Sequence, residues 1–160
     1  MKLANLHAAA AASILCVSLA VAASAAVAQS VKTVAGTYTA VSVPAFGDSP
    51  RGTLILGADG RYALVIGRAK MPKIASGTRT SATAEENKAV VEGSIAHYGR
   101  YTIDDGGKAI TYHVEMSTFP NWDGTTQKHA LRISGDTLTY TNIAPSTGGP
   151  PTDIVWKRVK

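Results

Sequence analysis

Three short turn sequences constrain this chain more than any other feature: Gly57-Ala58-Asp59-Gly60, Asp104-Asp105-Gly106-Gly107 and Gly135-Asp136. Each stands between two segments in which apolar and polar residues alternate, the period of a half-buried strand. Gly and Asp suit a tight hairpin because they tolerate positive φ, which most side chains avoid. The three turns pair Leu54 to Leu56 with Tyr62 to Gly67, Ile95 to Ile103 with Lys108 to Met116, and Thr126 to Ile133 with Thr137 to Asn142. Val34 to Val43 alternates around Tyr38 and adds a first strand. Asp153 to Val159 adds a last one, reached through a Pro/Gly/Ser loop from Ala144 to Thr152. Eight short strands joined mainly by hairpins predict an all-β, up-and-down antiparallel barrel, since closure removes the sheet edges that would otherwise aggregate.

One segment breaks the strand pattern. Thr83 and Glu86 form a capping box, so a short helix is expected over Ala84 to Glu92, with Gly93 as its stop. The stretch before it, Arg68 to Thr80, carries Arg68, Lys70, Lys73 and Arg79 with no acid. It reads as a basic surface loop leading to a helix at one barrel mouth, able to guide an anionic ligand or lipid headgroup or simply to lie solvated.

The first residues bear on compartment. Lys2 precedes a nearly uncharged Ala/Leu/Val run ending at Ala26-Val27-Ala28, which reads as a signal peptide over residues 1–28 cut before Gln29. The expected location is periplasmic or secreted, with no stable membrane anchor after cleavage. Cys16 lies inside this leader, so the mature chain has no thiol for a disulfide, a nucleophile or a metal. Residues 29–160 suffice for one domain with one core. With the leader goes one of sixteen basic residues against eleven acidic ones, leaving a net charge of +4. That is too mild for a dedicated nucleic-acid binder. No phosphate-cradling Gly loop, G-x-S-x-G elbow or H-E-x-x-H helix occurs, and nothing calls for a cofactor.

Five patterns taken in order resemble the bacterial and fungal lipocalin-like domain proteins. They are Val34-Ala35-Gly36-Thr37-Tyr38, Gly60-Arg61-Tyr62, Ile95-Ala96-His97-Tyr98-Gly99-Arg100-Tyr101, the segment from His113 to Trp122, and Ile154-Val155-Trp156-Lys157-Arg158. The resemblance spans nearly the whole mature chain and implies a lipocalin-like barrel of about eight strands, able to be filled or to hold one small ligand. It implies no shared reaction, so function rests on the site. One departure is visible: His129 stands where the family's arginine is expected, which tells against a bidentate anion contact there.

Alternation puts His113 and Glu115 on one face of the fifth strand and Ile110, Tyr112, Val114 and Met116 on the other. A filled barrel turns the apolar set inward; a polar cavity turns His113 and Glu115 inward, where they could act as acid and base. The plainer alternative is a surface pair with a neighbour such as Arg100 or Lys128. His129, on a face with Leu131 and Ile133, is expected to point inward. His97, His113 and His129 sit on successive strands and could converge on a metal, although no i, i+2 histidine pair supports that and no metal is assigned. Phe119 and Trp122 bring large apolar area to a barrel mouth, as a plug or a stacking surface.

Two functional readings follow. The first is an exported module that binds a small hydrophobic or amphipathic molecule in the barrel through Tyr98, Arg100, Tyr112, His113, Phe119, Trp122 and His129. The second is an isomerase, cyclase or hydratase using His113 and Glu115. Composition leaves the oligomeric state open.

Overall fold

The computed structural model describes residues 30–104 and 106–160. The leader read in residues 1–28, and Asp105 of the middle turn, lie outside them. Eight strands run β1 (Gly36–Ser42), β2 (Arg51–Leu56), β3 (Arg61–Gly67), β4 (Ser94–Ile103), β5 (Ala109–Ser117), β6 (Thr126–Ser134), β7 (Thr137–Asn142) and β8 (Thr152–Arg158). Each pairs antiparallel with the next, and β1 pairs with β8, closing the barrel. A short helix α1 (Val31–Val34) precedes β1, and α2 (Ala84–Gly93) lies between β3 and β4.

Consecutive antiparallel strands send alternate connections to opposite ends of the barrel. The three Gly/Asp turns therefore share one end, and the longer connections share the other. Among the described residues positive φ occurs only at glycines, including Gly60 (81°), Gly107 (65°) and Gly135 (55°). The aspartates do different work: Asp59 Oδ1 accepts from the Arg61 amide at 3.0 Å, and Asp104 Oδ1 from the Lys108 amide at 2.8 Å. These bonds mimic the backbone turn.

The tight-turn end is plugged by α1. Val34, expected at the start of a strand, instead ends this helix because Ser30 and Thr33 cap its first turn reciprocally. Val34 is fully buried, and its carbonyl accepts the Tyr38 hydroxyl at 2.6 Å. The Tyr101 hydroxyl donates to the Gly57 carbonyl at 2.9 Å, and burial pushes its pKa up to about 12. Arg158 lies over the Tyr38 ring at 4.7 Å and donates to the carbonyls of Thr33 and Ala35. Above this plug Leu54, Leu56, Leu64, Ile110, Leu138 and Trp156 fill the interior. Burial of side chains this size contributes about 1.5–3 kcal/mol each, so this half of the barrel is a packed core.

The pairing of β4 with β5 decides where the candidate residues point. Tyr98 pairs with Met116 and Gly99 with Val114, so Glu115 is an extra residue on β5. Such a bulge reverses the in-and-out alternation. Tyr112 and Val114 face inward, but beyond the bulge Met116 is 49% exposed and Ser117 is buried. Simple alternation put Met116 inside; the bulge corrects it. Gly99 is required here, since a Cβ would collide with the His113 carbonyl oxygen.

Helix α2 has the expected capping box, with the Thr83 amide donating to Glu86 Oε2 at 2.9 Å and the Glu86 amide to Thr83 Oγ1 at 3.2 Å. Glu86 also receives the Ala75 amide at 2.8 Å, tying down the basic loop, and these bonds hold its carboxyl below the usual range. Gly93 does not supply a left-handed stop. It is the last helical residue and lies close to Met71, whose flexible side chain would have to shift to admit a Cβ.

Candidate functional site

The open end holds α2, the helical turns Pro44–Phe46 and Pro120–Trp122, and the loop over residues 143–151. Beneath them the core gives way to a cavity of about 60 Å³. That is room for about four waters, at 10–15 Å³ of occupied volume each, or for the edge of one aromatic ring. Its deeper wall is aromatic and polar: His97, Tyr112, His129 and Tyr140, with Trp122, Gln127 and Asn142 nearer the mouth. No Asp, Glu, Lys or Arg is among its described lining residues.

These side chains meet because their strand positions share the inward parity. Tyr62 and His97 project from β3 and β4, and the Tyr62 hydroxyl lies 2.8 Å from His97 Nδ1. The Tyr112 ring stands 4.5 Å from Tyr62, 6.2 Å from His97, 5.8 Å from His129 and 5.8 Å from Tyr140. Trp122 makes edge contacts with His97 and Phe119, each at 5.6 Å. Asp123 fixes this turn by accepting the Ser117 amide at 2.7 Å.

Burial sets the protonation of the whole group. It lowers His97 to about 4, with the charge of His129 a second cause, so the imidazole is neutral at physiological pH. His129 is lowered by the same burial, partly offset by its bond to the Thr141 carbonyl at 3.1 Å. A carbonyl only accepts, so Nδ1 of His129 carries the proton and Nε2 is left as an acceptor. Burial raises the Tyr62, Tyr112 and Tyr140 hydroxyls, which stay protonated. The Trp156 indole partly offsets this at Tyr140, yet among the described residues its Nε1 completes no hydrogen bond of good geometry.

The Tyr112 hydroxyl has no partner at all among the described residues, although its side chain is only 1% exposed. Buried polar atoms are normally satisfied, so this hydroxyl is a candidate for a hydrogen bond that a small shift of the wall would open. The cavity thus presents the Tyr112 ring, whose hydroxyl is enclosed by protein, and a bare acceptor at His129, walled by aromatic rings. It suits a small, uncharged, mostly aromatic molecule with a polar substituent.

Not all residues read from the sequence come together here. Tyr112, Trp122 and His129 line the cavity, and Phe119 stands at the mouth. Tyr98, Arg100, His113 and Glu115 point away from the lumen on the outer face, so the proposed acid–base pair is corrected: it cannot act inside the barrel. The physical reason is that Tyr112 and Val114 claim the inward positions of β5. Glu115 instead bridges Arg61 at 2.9 Å and Arg100 at 3.9 Å, relieving the repulsion of two arginines directly opposed across β3 and β4. His113 Nδ1 lies 3.2 Å from Thr126 Oγ1. Since His113 is outside while His97 and His129 are inside, the three histidines do not converge. His97, weighed from the sequence only as a metal ligand, and Tyr140 also line the cavity. The signal for His97 was its shared parity with Tyr101.

A family model described as a lipocalin-like domain matches residues 26–159. The chain belongs to the lipocalin-like domain family. A 4'-hydroxy-3'-methoxypropiophenone carrier protein of Aspergillus oryzae is 35% identical over 71 residues. That match covers 41% of this chain and 64% of the length of the relative. The lipocalin-like barrel therefore combines a plugged end with an open end that leads to a small cavity, and one relative is described as a carrier protein.

Proposed function

We propose that this lipocalin-like protein binds and carries one small, uncharged aromatic molecule, held in the open half of the barrel by the Tyr112 hydroxyl and His129 Nε2. The observation that carries this reading is the aromatic wall of the cavity, which has no charged side chain among its described lining residues and holds Tyr112, whose buried hydroxyl is unpartnered among them. The relative's cargo, a phenol bearing a ketone and a methoxy group, has the chemistry this wall would take. A phenolic O–H can donate to His129 Nε2 and a carbonyl can accept from Tyr112, while the ring stacks among Tyr140, His97 and Trp122. Binding without turnover is the expected behaviour.

We further propose that the carrier works in an exported compartment, released by cleavage before Gln29. N-terminal sequencing of protein from its own cell tests this: a chain beginning at Gln29 supports export, and one retaining residues 1–28 opposes it. Binding is tested by titrating 4'-hydroxy-3'-methoxypropiophenone against Trp122 fluorescence, with Trp122→Phe as the control for the second tryptophan. Saturable quenching at one site per chain is expected. No saturable signal, together with none by calorimetry, overturns the proposal.

A further inference from the structure

We propose that a second chamber outside the mouth binds an anionic amphiphile, an apolar chain ending in one carboxylate. This cleft adjoins the inner cavity, sharing Ala45, Phe46, Ile95, Ser146 and Thr147 with it, and adds Arg68, Val90, Val91 and Phe119 of its own.

The chamber is a cleft of about 520 Å³ between α2, the start of β4, Phe119 and the loop at Ser146 and Thr147. That lies in the usual range for ligand sites, roughly 300–1,000 Å³. Its apolar wall is left open by the helix itself. Val90 and Val91, on α2, are 37% and 74% exposed, and they face the cleft with Phe46, Ile95 and Phe119. Helix α2 buries no apolar side chain in the barrel; its one buried residue is Gly93. It spans the cleft and leaves it unfilled.

Charge selects the occupant. Arg68 lines the cleft, and among the described residues its guanidinium makes no ion pair or hydrogen bond. It opens a stretch with three more cations and no acid up to Thr80. Glu92, the one carboxylate among the described wall residues, is 3.8 Å from Lys88 and partly neutralised. An alkyl chain laid along the valines and Phe119 brings its carboxylate to Arg68, where a fork of N–H groups matches it. The inner cavity offers a carboxylate no cation, so the two chambers sort ligands by charge.

Decanoate titrated into the full protein by calorimetry tests the proposal. Saturable binding is expected, weakened about five-fold in Arg68→Gln, on the scale of one exposed charge pair. Val91→Glu should weaken it at least as much, and decyltrimethylammonium should bind more weakly than decanoate. Tyr112→Phe, which alters only the inner wall, should leave decanoate binding unchanged. Equal binding of the cationic and anionic chains, or no effect of either cleft substitution, overturns the proposal. So does loss of decanoate binding in Tyr112→Phe, which would move the fatty acid into the cavity. Sedimentation with phosphatidylglycerol vesicles in the absence of decanoate binding would assign the patch to a bilayer surface instead, and also overturns it. Loss of propiophenone binding with decanoate binding intact would refute only the inner-cavity reading.

Discussion

Replacing Tyr112 by phenylalanine should make the protein more stable and a worse binder. The hydroxyl is enclosed and unpartnered, and the ring is held by Tyr62 at 4.5 Å and by His129 and Tyr140 at 5.8 Å. Phenylalanine keeps those ring contacts and removes only the oxygen. An unsatisfied buried hydroxyl costs about 1–3 kcal/mol; water entering the adjacent cavity recovers part of that, so a gain of about 1 kcal/mol is expected. For a domain of this size it raises Tm by roughly 3–5 °C. Binding moves the other way, because the ligand loses its donor at Tyr112: about ten-fold in Kd, or 1.4 kcal/mol. Urea unfolding with and without the propiophenone reads both quantities, provided that the slope m is unchanged. A destabilised variant would mean that the hydroxyl is satisfied in the native state. Unaltered affinity would mean that it does not face the ligand. Either result refutes the reasoning.

Three other perturbations probe the rest of the structure. His97 is held near 4 in the folded protein against an ordinary value of 6.5. Above pH 6.5 both states leave it neutral and it adds no pH dependence. Below that the unfolded chain takes up a proton that the folded one refuses, so stability falls by about 2 kcal/mol between pH 6.5 and 5, where carboxylates stay ionised. His129 adds in the same direction, and a flat urea midpoint over this window contradicts the assignment. Glu115→Gln should cost less than about 1 kcal/mol, since its ion pairs are solvent-exposed, and should leave ligand affinity untouched; an affinity change would revive a role for the outer face. Gly99→Ala should destabilise by more than about 2 kcal/mol through overpacking against the β5 backbone, measured by thermal unfolding, and a neutral result would refute the bulge geometry.

The strand count, the three hairpins and the capped helix were legible because each is a local matter: Gly60, Gly107 and Gly135 sit where the turn demands positive φ, and Thr83 reads Glu86 within one turn of helix. Orientation around β5 was not, because period-two alternation alone leaves open which set faces inward. Gly99 inside a strand was the available warning of a close backbone approach, but it could not say on which strand the extra residue falls. The α1 plug was hidden for another reason. Val34 suits a strand, and although Ser30 and Thr33 cap the turn locally, the Arg158 bond to the Ala35 carbonyl, which helps to hold it on the barrel, comes from 123 positions away. The cavity was legible in part: Tyr112, Trp122 and His129 are on its wall, whereas His97 joins it through a bond to Tyr62 that spans 35 positions. Which end of the barrel stays open depends on how α2 and the loop over residues 143–151 pack, and no local pattern encodes that.

The central claim is that a ligand occupies the space beside the Tyr112 hydroxyl. A crystal structure of the protein with 4'-hydroxy-3'-methoxypropiophenone tests it most directly. The expected result is one molecule at the open end, its ring among His97, Trp122 and Tyr140, with an oxygen about 2.7–3.0 Å from Tyr112 Oη. A molecule bound on the outer face beside His113 and Glu115, with Tyr112 still unpartnered, would contradict it.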